Sequence, residues 1–158
     1  SEEHAQSEAI AQSLVAFTNA SVPIVATVIG EGGSGGALAL AIADRVIMLE
    51  HSTYSVASPE GCAAILWGDA SKAEEAASHL KLTAQDLLRF GIVDEIVPEP
   101  MGGANRDPAS VVAHIMSRVD AALAELDRFS TSDLLAARYD KYRRIGSWRR
   151  DAAPVGRH

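Results

Sequence analysis

Apolar and polar positions change their spacing several times along the chain, and each change marks an element. Ile10, Leu14, Val15 and Phe17 recur at helical spacing, so residues 1–19 read mostly as helix. Ser21-Val22-Pro23 opens a β-branched run to Ile29, a strand whose first residues tolerate proline. A glycine-rich stretch follows, and the small-residue run Ala37–Ala43 leaves it with helical character. Arg45–Leu49 reads as a strand and Thr53–Val56 as another. The tight turn at His51-Ser52 between them predicts a hairpin or a chain that crosses between sheets. Ser58-Pro59-Glu60 has the form of an N-cap, a proline at the first helical position and a first-turn acid, opening a helix to Trp67.

Ser71-x-x-Glu74 is a capping-box pattern for a helix to Leu80, and Thr83-x-x-Asp86 opens one that Gly91 stops. Ile92–Val97 is a strand closed by Pro98 and Pro100, and residues 101–106 form a loop. Asp107-Pro108 caps a long helix to Asp127, and Ser130-Thr131 starts a last one to Arg144. The stretch from Gly146 onward predicts a disordered tail, so residues 1–145 are read as one unit and 146–158 as its tail. The order α-β-α-β-β-α-α-α-β-α-α, with no repeat of fixed period, predicts a mixed α/β unit with a helical C-terminal third.

Composition narrows this. The 158 residues suit one domain with a buried core, and 47% apolar content with few aromatics points to close Ala/Val/Ile/Leu packing. A net charge of −7 argues against nonspecific binding to nucleic acid or a membrane surface. The single Cys62 excludes an internal disulfide and a Cys-built zinc site, which fits a reducing, cytoplasmic compartment and predicts no metal. No apolar run reaches membrane-spanning length and no signal peptide opens the chain. A helical pattern already running at Ser1 predicts that the chain is a piece of a longer one.

The candidate chemistry lies in Gly30-Glu31-Gly32-Gly33-Ser34-Gly35-Gly36-Ala37, with five glycines in seven positions. Backbone free of Cβ lets a ligand approach closely. The helix start behind it offers free N–H groups and a positive dipole end to an anionic oxygen. Three ligand readings stand. Gly30-x-Gly32-x-x-Gly35 matches the dinucleotide fingerprint, with Glu50 as the ribose-binding acid, although the following helix is short. Gly32-x-Ser34-x-Gly36 matches a nucleophile elbow, for which His51, His79 and His114 are the available bases, none in a recognisable context. An oxyanion hole built from N–H groups needs no reactive side chain and suits the composition best. A Walker loop is excluded because no Lys-Ser/Thr follows the glycines. A tight turn without a ligand is the bland alternative, which the entropic cost of five glycines disfavours.

Four blocks resemble the alpha-subunit family of the bacterial acetyl-CoA carboxylase carboxyltransferase: Val22–Ala39, Ser52–Trp67, Gly91–Pro100 and Gly102–Pro108. Gln6–Ala11 and the helix from Ser130 also fit. The resemblance implies a crotonase-like (ClpP-like) ββα-type α/β fold, partial here, with a helical C-terminal extension. It implies pairing with a beta subunit or beta-like domain, as α2β2, and transfer of a carboxyl group from carboxybiotin on a separate biotin carboxyl carrier protein to acetyl-CoA. Carried across by residue, Gly35 and Gly36 match the family's oxyanion-hole pair, here assigned to the biotin side. Gly32, Gly33, Ser34 and Ala37 complete that loop.

The family's segment upstream of Ser1 is absent, so the resemblance also implies an incomplete sheet and no activity for this piece alone. Ser58, Pro59, Glu60 and Gly61 start a helix near where such folds line the active site, and pocket lining and plain capping remain equal alternatives. Cys62 reads as core rather than reactive, and Trp67 as packing rather than biotin stacking. Glu99–Arg106 reads as a shaped loop, with a role near biotin or an interface as the alternative. Arg138, Lys141, Arg143, Arg144, Arg149 and Arg150 read as a solvated helix end, with a patch for CoA phosphates or an acidic partner as the alternative.

Overall fold

A computed structural model describes residues 6–146. The start of the first predicted helix, the predicted tail beyond Gly146, and Arg149 and Arg150 lie outside the described residues. In chain order the elements are α1 (Gln6–Thr18), β1 (Val25–Val28), β2 (Glu31–Gly33), α2 (Ser34–Leu40), β3 (Arg45–Leu49), β4 (Thr53–Ser55) and α3 (Pro59–Trp67). They continue as α4 (Ala73–Leu80), α5 (Ala84–Arg89), β5 (Glu95–Val97), α6 (Pro108–Leu126) and α7 (Thr131–Arg143).

The strands form two small parallel sheets, β1-β3-β5 and β2-β4. The chain crosses from the first sheet to the second twice, β1 to β2 and β3 to β4, and each crossing ends in a helix. Two ββα units, β1-β2-α2 and β3-β4-α3, therefore repeat in architecture where the sequence shows no period. Of the two alternatives for the turn at His51-Ser52, the hairpin is excluded. The predicted strand Val22–Ile29 contracts to Val25–Val28, and three residues of the glycine stretch, Glu31–Gly33, become a strand by pairing with Thr53–Ser55.

Strand β3 is covered on both faces, as a central parallel strand must be. Val46 and Met48 face one cluster with Ala43, Ala84, Leu87 and Val93. Ile47 and Leu49 face another with Val97 and Val111, closed by Ile115 and Val119 along α6. Full burial of each such side chain contributes about 1.5–3 kcal/mol. Caps foreseen at Ser58, Thr83, Asp107 and Ser130 each accept the expected backbone N–H. The box expected at Ser71 does not form: the Asp69 carboxylate takes the Ser71 N–H and hydroxyl, and α4 starts without a side-chain cap.

Glu99 shapes the loop after β5. Its nearly buried carboxylate accepts N–H groups from His51 at 3.0 Å and Ala104 at 2.7 Å. Burial pushes its pKa up, but those N–H groups and the His51 ring outweigh it and hold the carboxyl below the usual range. Trp67 sets its ring edge-on to His79 with centroids 6.4 Å apart, which favours packing over ligand stacking. Cys62 is half-buried.

Candidate active site

Strand β2 runs straight into α2, and Ser34 makes the turn. Its φ of +59° lies in the left-handed region, a conformation that costs a non-glycine residue about 1–3 kcal/mol. Gly33, extended at φ −145° and ψ 153°, occupies the N-cap and supplies no side chain to the helix. Ser34, Gly35 and Gly36 fill the first three helical positions, whose N–H groups have no partner within an α-helix. Among the described residues no capping side chain or loop carbonyl takes the Gly35 or Gly36 N–H. A Cβ built on Gly36 or Gly33 would meet nothing within 4 Å, whereas one on Gly35 would approach Ile10 Cγ2 of α1 at 3.8 Å.

Beneath the turn lies a cleft of ≈ 280 Å³ bounded by Ala26–Gly32, Ala37, Ala41 and Tyr54. Of the predicted site residues only Gly32 and Ala37 border it. Pairing of β2 with β4 sets Gly33 beside Ser55, three residues before Ser58. Ser58 Oγ accepts the Gly61 N–H at 3.1 Å, so capping is the role the structure shows for it. Among the described residues no hydrogen bond joins Ser58, Pro59, Glu60 or Gly61 to the glycine turn.

The competing chemistries lose their supporting groups. Glu50 accepts the Glu99 N–H at 3.2 Å instead of facing the loop as a ribose-binding acid. His51 Nδ1 lies 3.4 Å from Glu99, His79 Nδ1 lies 2.8 Å from the Glu75 carbonyl, and no hydrogen bond among the described residues joins a histidine to Ser34. No group of three or more potential metal ligands occurs among the described residues.

Sequence reasoning missed Tyr54. It sits opposite Gly32 in the β2–β4 register, and a Cβ on Gly32 would fall 2.9 Å from its Cδ2 atom. Burial pushes the Tyr54 pKa up. The only signal in the sequence is an aromatic residue in a short strand; its register against the glycine loop is tertiary information.

Residues 1–146 match the family described as acetyl co-enzyme A carboxylase carboxyltransferase-like. Over 144 residues the chain is 56% identical to the acetyl-coenzyme A carboxylase carboxyl transferase subunit alpha of Clostridium perfringens strain SM101, covering 91% of this chain and 53% of that one. Against the subunit of the same name from Sorangium cellulosum it is 55% identical over 147 residues, covering 93% and 46%. The chain thus spans about half the length of the curated relatives it matches. In fold it is similar to a Pseudomonas malonate decarboxylase hetero-tetramer solved with coenzyme A, at TM-score 0.69 and 18% identity over 90% of this chain and 56% of that one. Transcarboxylase 12S gives TM-score 0.56 and 20% identity over 93% and 25%. These likenesses show the fold to be crotonase-like α/β. With its family match running through every described residue, the chain belongs to the acetyl-CoA carboxylase carboxyltransferase family.

Proposed function

We propose that this chain is part of the alpha side of an acetyl-CoA carboxyltransferase, which moves a carboxyl group from carboxybiotin on a carrier protein to acetyl-CoA and yields malonyl-CoA. One observation carries the reading: the uncapped N–H groups of Gly35 and Gly36 open the first turn of α2, with open space where a side chain at residue 36 would stand. The residues fit a bound biotin on that count, since a Cβ at Gly36 would occupy the approach. Gly32, Gly33, Ser34 and Ala37 would shape the cradle, and Ser58, Pro59, Glu60 and Gly61 would border it. Bound carboxybiotin supplies the transferable carboxyl group; the rest is what this chain's backbone contributes.

Two N–H donors at a helix start stabilise an oxygen that gains negative charge, and removing one such donor costs about 10²–10³ in rate. They are fixed before reaction, so no reorganisation is needed when charge develops. The loop itself supplies no general base, and orientation of two bound substrates provides the rest of the acceleration. The acyl-CoA side belongs to a beta subunit or beta-like domain, with α2β2 as the assembly. Malonyl-CoA formation places the complex in cytoplasmic fatty acid biosynthesis.

The test is malonyl-CoA formation by the full-length alpha subunit assembled with its beta partner, wild type against Gly36→Val. The variant assembles as wild type does, because its Cβ meets no protein atom within 4 Å, and its side chain blocks the approach of the reacting oxygen to the two N–H groups; losing the use of one donor lowers turnover at least ~100-fold. A wild-type rate overturns the assignment.

A further inference from the structure

We propose that Tyr54 is the positioning residue of the glycine turn: its side chain braces both ends of residues 32–37 and thereby sets the direction of the Gly35 and Gly36 N–H donors. This rests on the oxyanion-hole reading above. The brace has two contacts. On the strand side, the ring occupies the space that a side chain at Gly32 would need, 2.9 Å from the ideal Cβ position. On the helix side, the phenolic O–H reaches toward the Ala37 carbonyl at 3.5 Å, the outer limit of a hydrogen bond. Between those contacts lie Gly33, the left-handed Ser34, and the two donors.

The brace is itself held. The Thr53 N–H donates to the Gly30 carbonyl at 3.0 Å, and the Tyr54 N–H donates to Leu82 on the other side at 3.1 Å. The ring packs against the cluster that contains Val46, Met48 and Leu87. A rigid ring pinned to the core thus presses on a turn that has no side-chain cap and that spends conformational energy at Ser34. This also accounts for glycine at position 32, which the ring excludes from bearing a Cβ.

Donors misaimed by a small rotation still permit substrate binding but stabilise the transition state less, so kcat falls with little change in KM. In the assembled full-length complex, Tyr54→Leu lowers kcat at least 10-fold with the KM for acetyl-CoA within twofold, and Tyr54→Phe, which keeps the ring against Gly32 but loses the phenolic contact with Ala37, gives a smaller loss between Tyr54→Leu and wild type. Gly32→Ala alone lowers kcat, because its methyl group displaces the ring; added to Tyr54→Leu it lowers kcat no further, the coupling expected of residues in contact. A Tyr54→Leu complex with wild-type kcat, a loss confined to KM, or independent multiplication of the two effects overturns the proposal. Should Tyr54→Leu not assemble, Gly32→Ala carries the test alone, and a wild-type kcat there overturns it. Gly36→Val, run alongside, separates the two levels. If it keeps full activity, the oxyanion reading and the brace fall together. If it is inactive while Tyr54→Leu turns over normally, only the brace falls.

Discussion

Arg138 closes on Asp44 through two hydrogen bonds of 2.9 and 2.8 Å, with both side chains almost wholly buried. The remaining guanidinium N–H groups donate to the carbonyls of Phe17, Thr18, Ala20 and Val22, where α1 ends and the chain turns toward β1. Asp44 in turn accepts the Ile24 N–H at 2.8 Å. One residue of α7 therefore ties the end of α1 to the entry of β1, which leads into the glycine turn, and to the entry of β3, which follows it. Neither alternative weighed for Arg138, a solvated helix end or a phosphate patch, survives, because its donors are spent inside the protein. Lys141, of the same cationic run, is likewise engaged, with Asp94.

Breaking a buried pair by removing one partner leaves the other charge uncompensated and costs about 3–5 kcal/mol. Asp44→Ala and Arg138→Ala in the intact subunit each lower unfolding stability by about that amount. The double variant loses far less than the sum. Denaturant titration checks this, and single-variant losses below about 1 kcal/mol, the scale of an exposed pair, would contradict it.

Tyr142, one turn further along α7, sets an alkaline limit. Its hydroxyl accepts the Ala43 N–H at 2.8 Å and donates toward the Ala41 carbonyl. Burial pushes its pKa up to about 12, offset in part by the Ala43 N–H. The unfolded chain releases that proton near pH 10, roughly the ordinary tyrosine value, so between the two values the unfolded state holds fewer protons and stability falls as pH rises. The contribution is complete below the unfolded value and lost on passing through the folded one. Tyr142→Phe costs about 0.5–1.5 kcal/mol at neutral pH, the worth of a hydrogen bond whose N–H keeps a second acceptor, the Ala41 carbonyl at 2.9 Å. It also flattens the stability profile between about pH 10 and pH 12; an unchanged alkaline slope by chemical denaturation would sink the assignment.

Ser34 separates backbone chemistry from serine chemistry. Its left-handed φ resembles the strained turn of a nucleophile elbow, yet no histidine hydrogen-bonds it among the described residues. Ser34→Ala in the assembled complex therefore keeps malonyl-CoA formation within about threefold, the range of a residue outside the donor set. A fluorophosphonate probe leaves the protein unlabelled. Ser34→Gly stabilises the fold by removing the left-handed penalty, up to about 1 kcal/mol after the entropy gained by the unfolded glycine. Labelling at Ser34 would restore the hydrolase reading, and loss of transfer in Ser34→Ala would contradict a turn that acts through its backbone alone.

What the sequence made legible follows from local physics. Ser58, Thr83, Asp107 and Ser130 announce their helices because a cap needs only its own neighbours. The unbroken apolar run Val46–Leu49 and the stripe Val111, Ile115, Val119 locate the core. Glu31–Gly33 has little strand propensity and becomes β2 only through Thr53–Ser55, a partner 22 residues away in pairing register. Ser71 loses its capping role to Asp69 two residues earlier, a competition that the pattern alone does not reveal. Arg138 and Tyr54 act across long stretches of chain, so composition places one on the surface and is silent about the other. Composition and family likeness point to the glycine pair, and its uncapped N–H groups are legible only once the helix start is placed.

The most direct measurement exchanges one backbone N–H for an oxygen. Replacing the Gly36 residue by its α-hydroxy analogue turns its backbone amide into an ester, deleting the N–H while adding no side chain. In the full-length alpha–beta complex, the account predicts a loss in kcat for malonyl-CoA formation of about 10²–10³ with assembly intact. Turnover at the wild-type rate would contradict it.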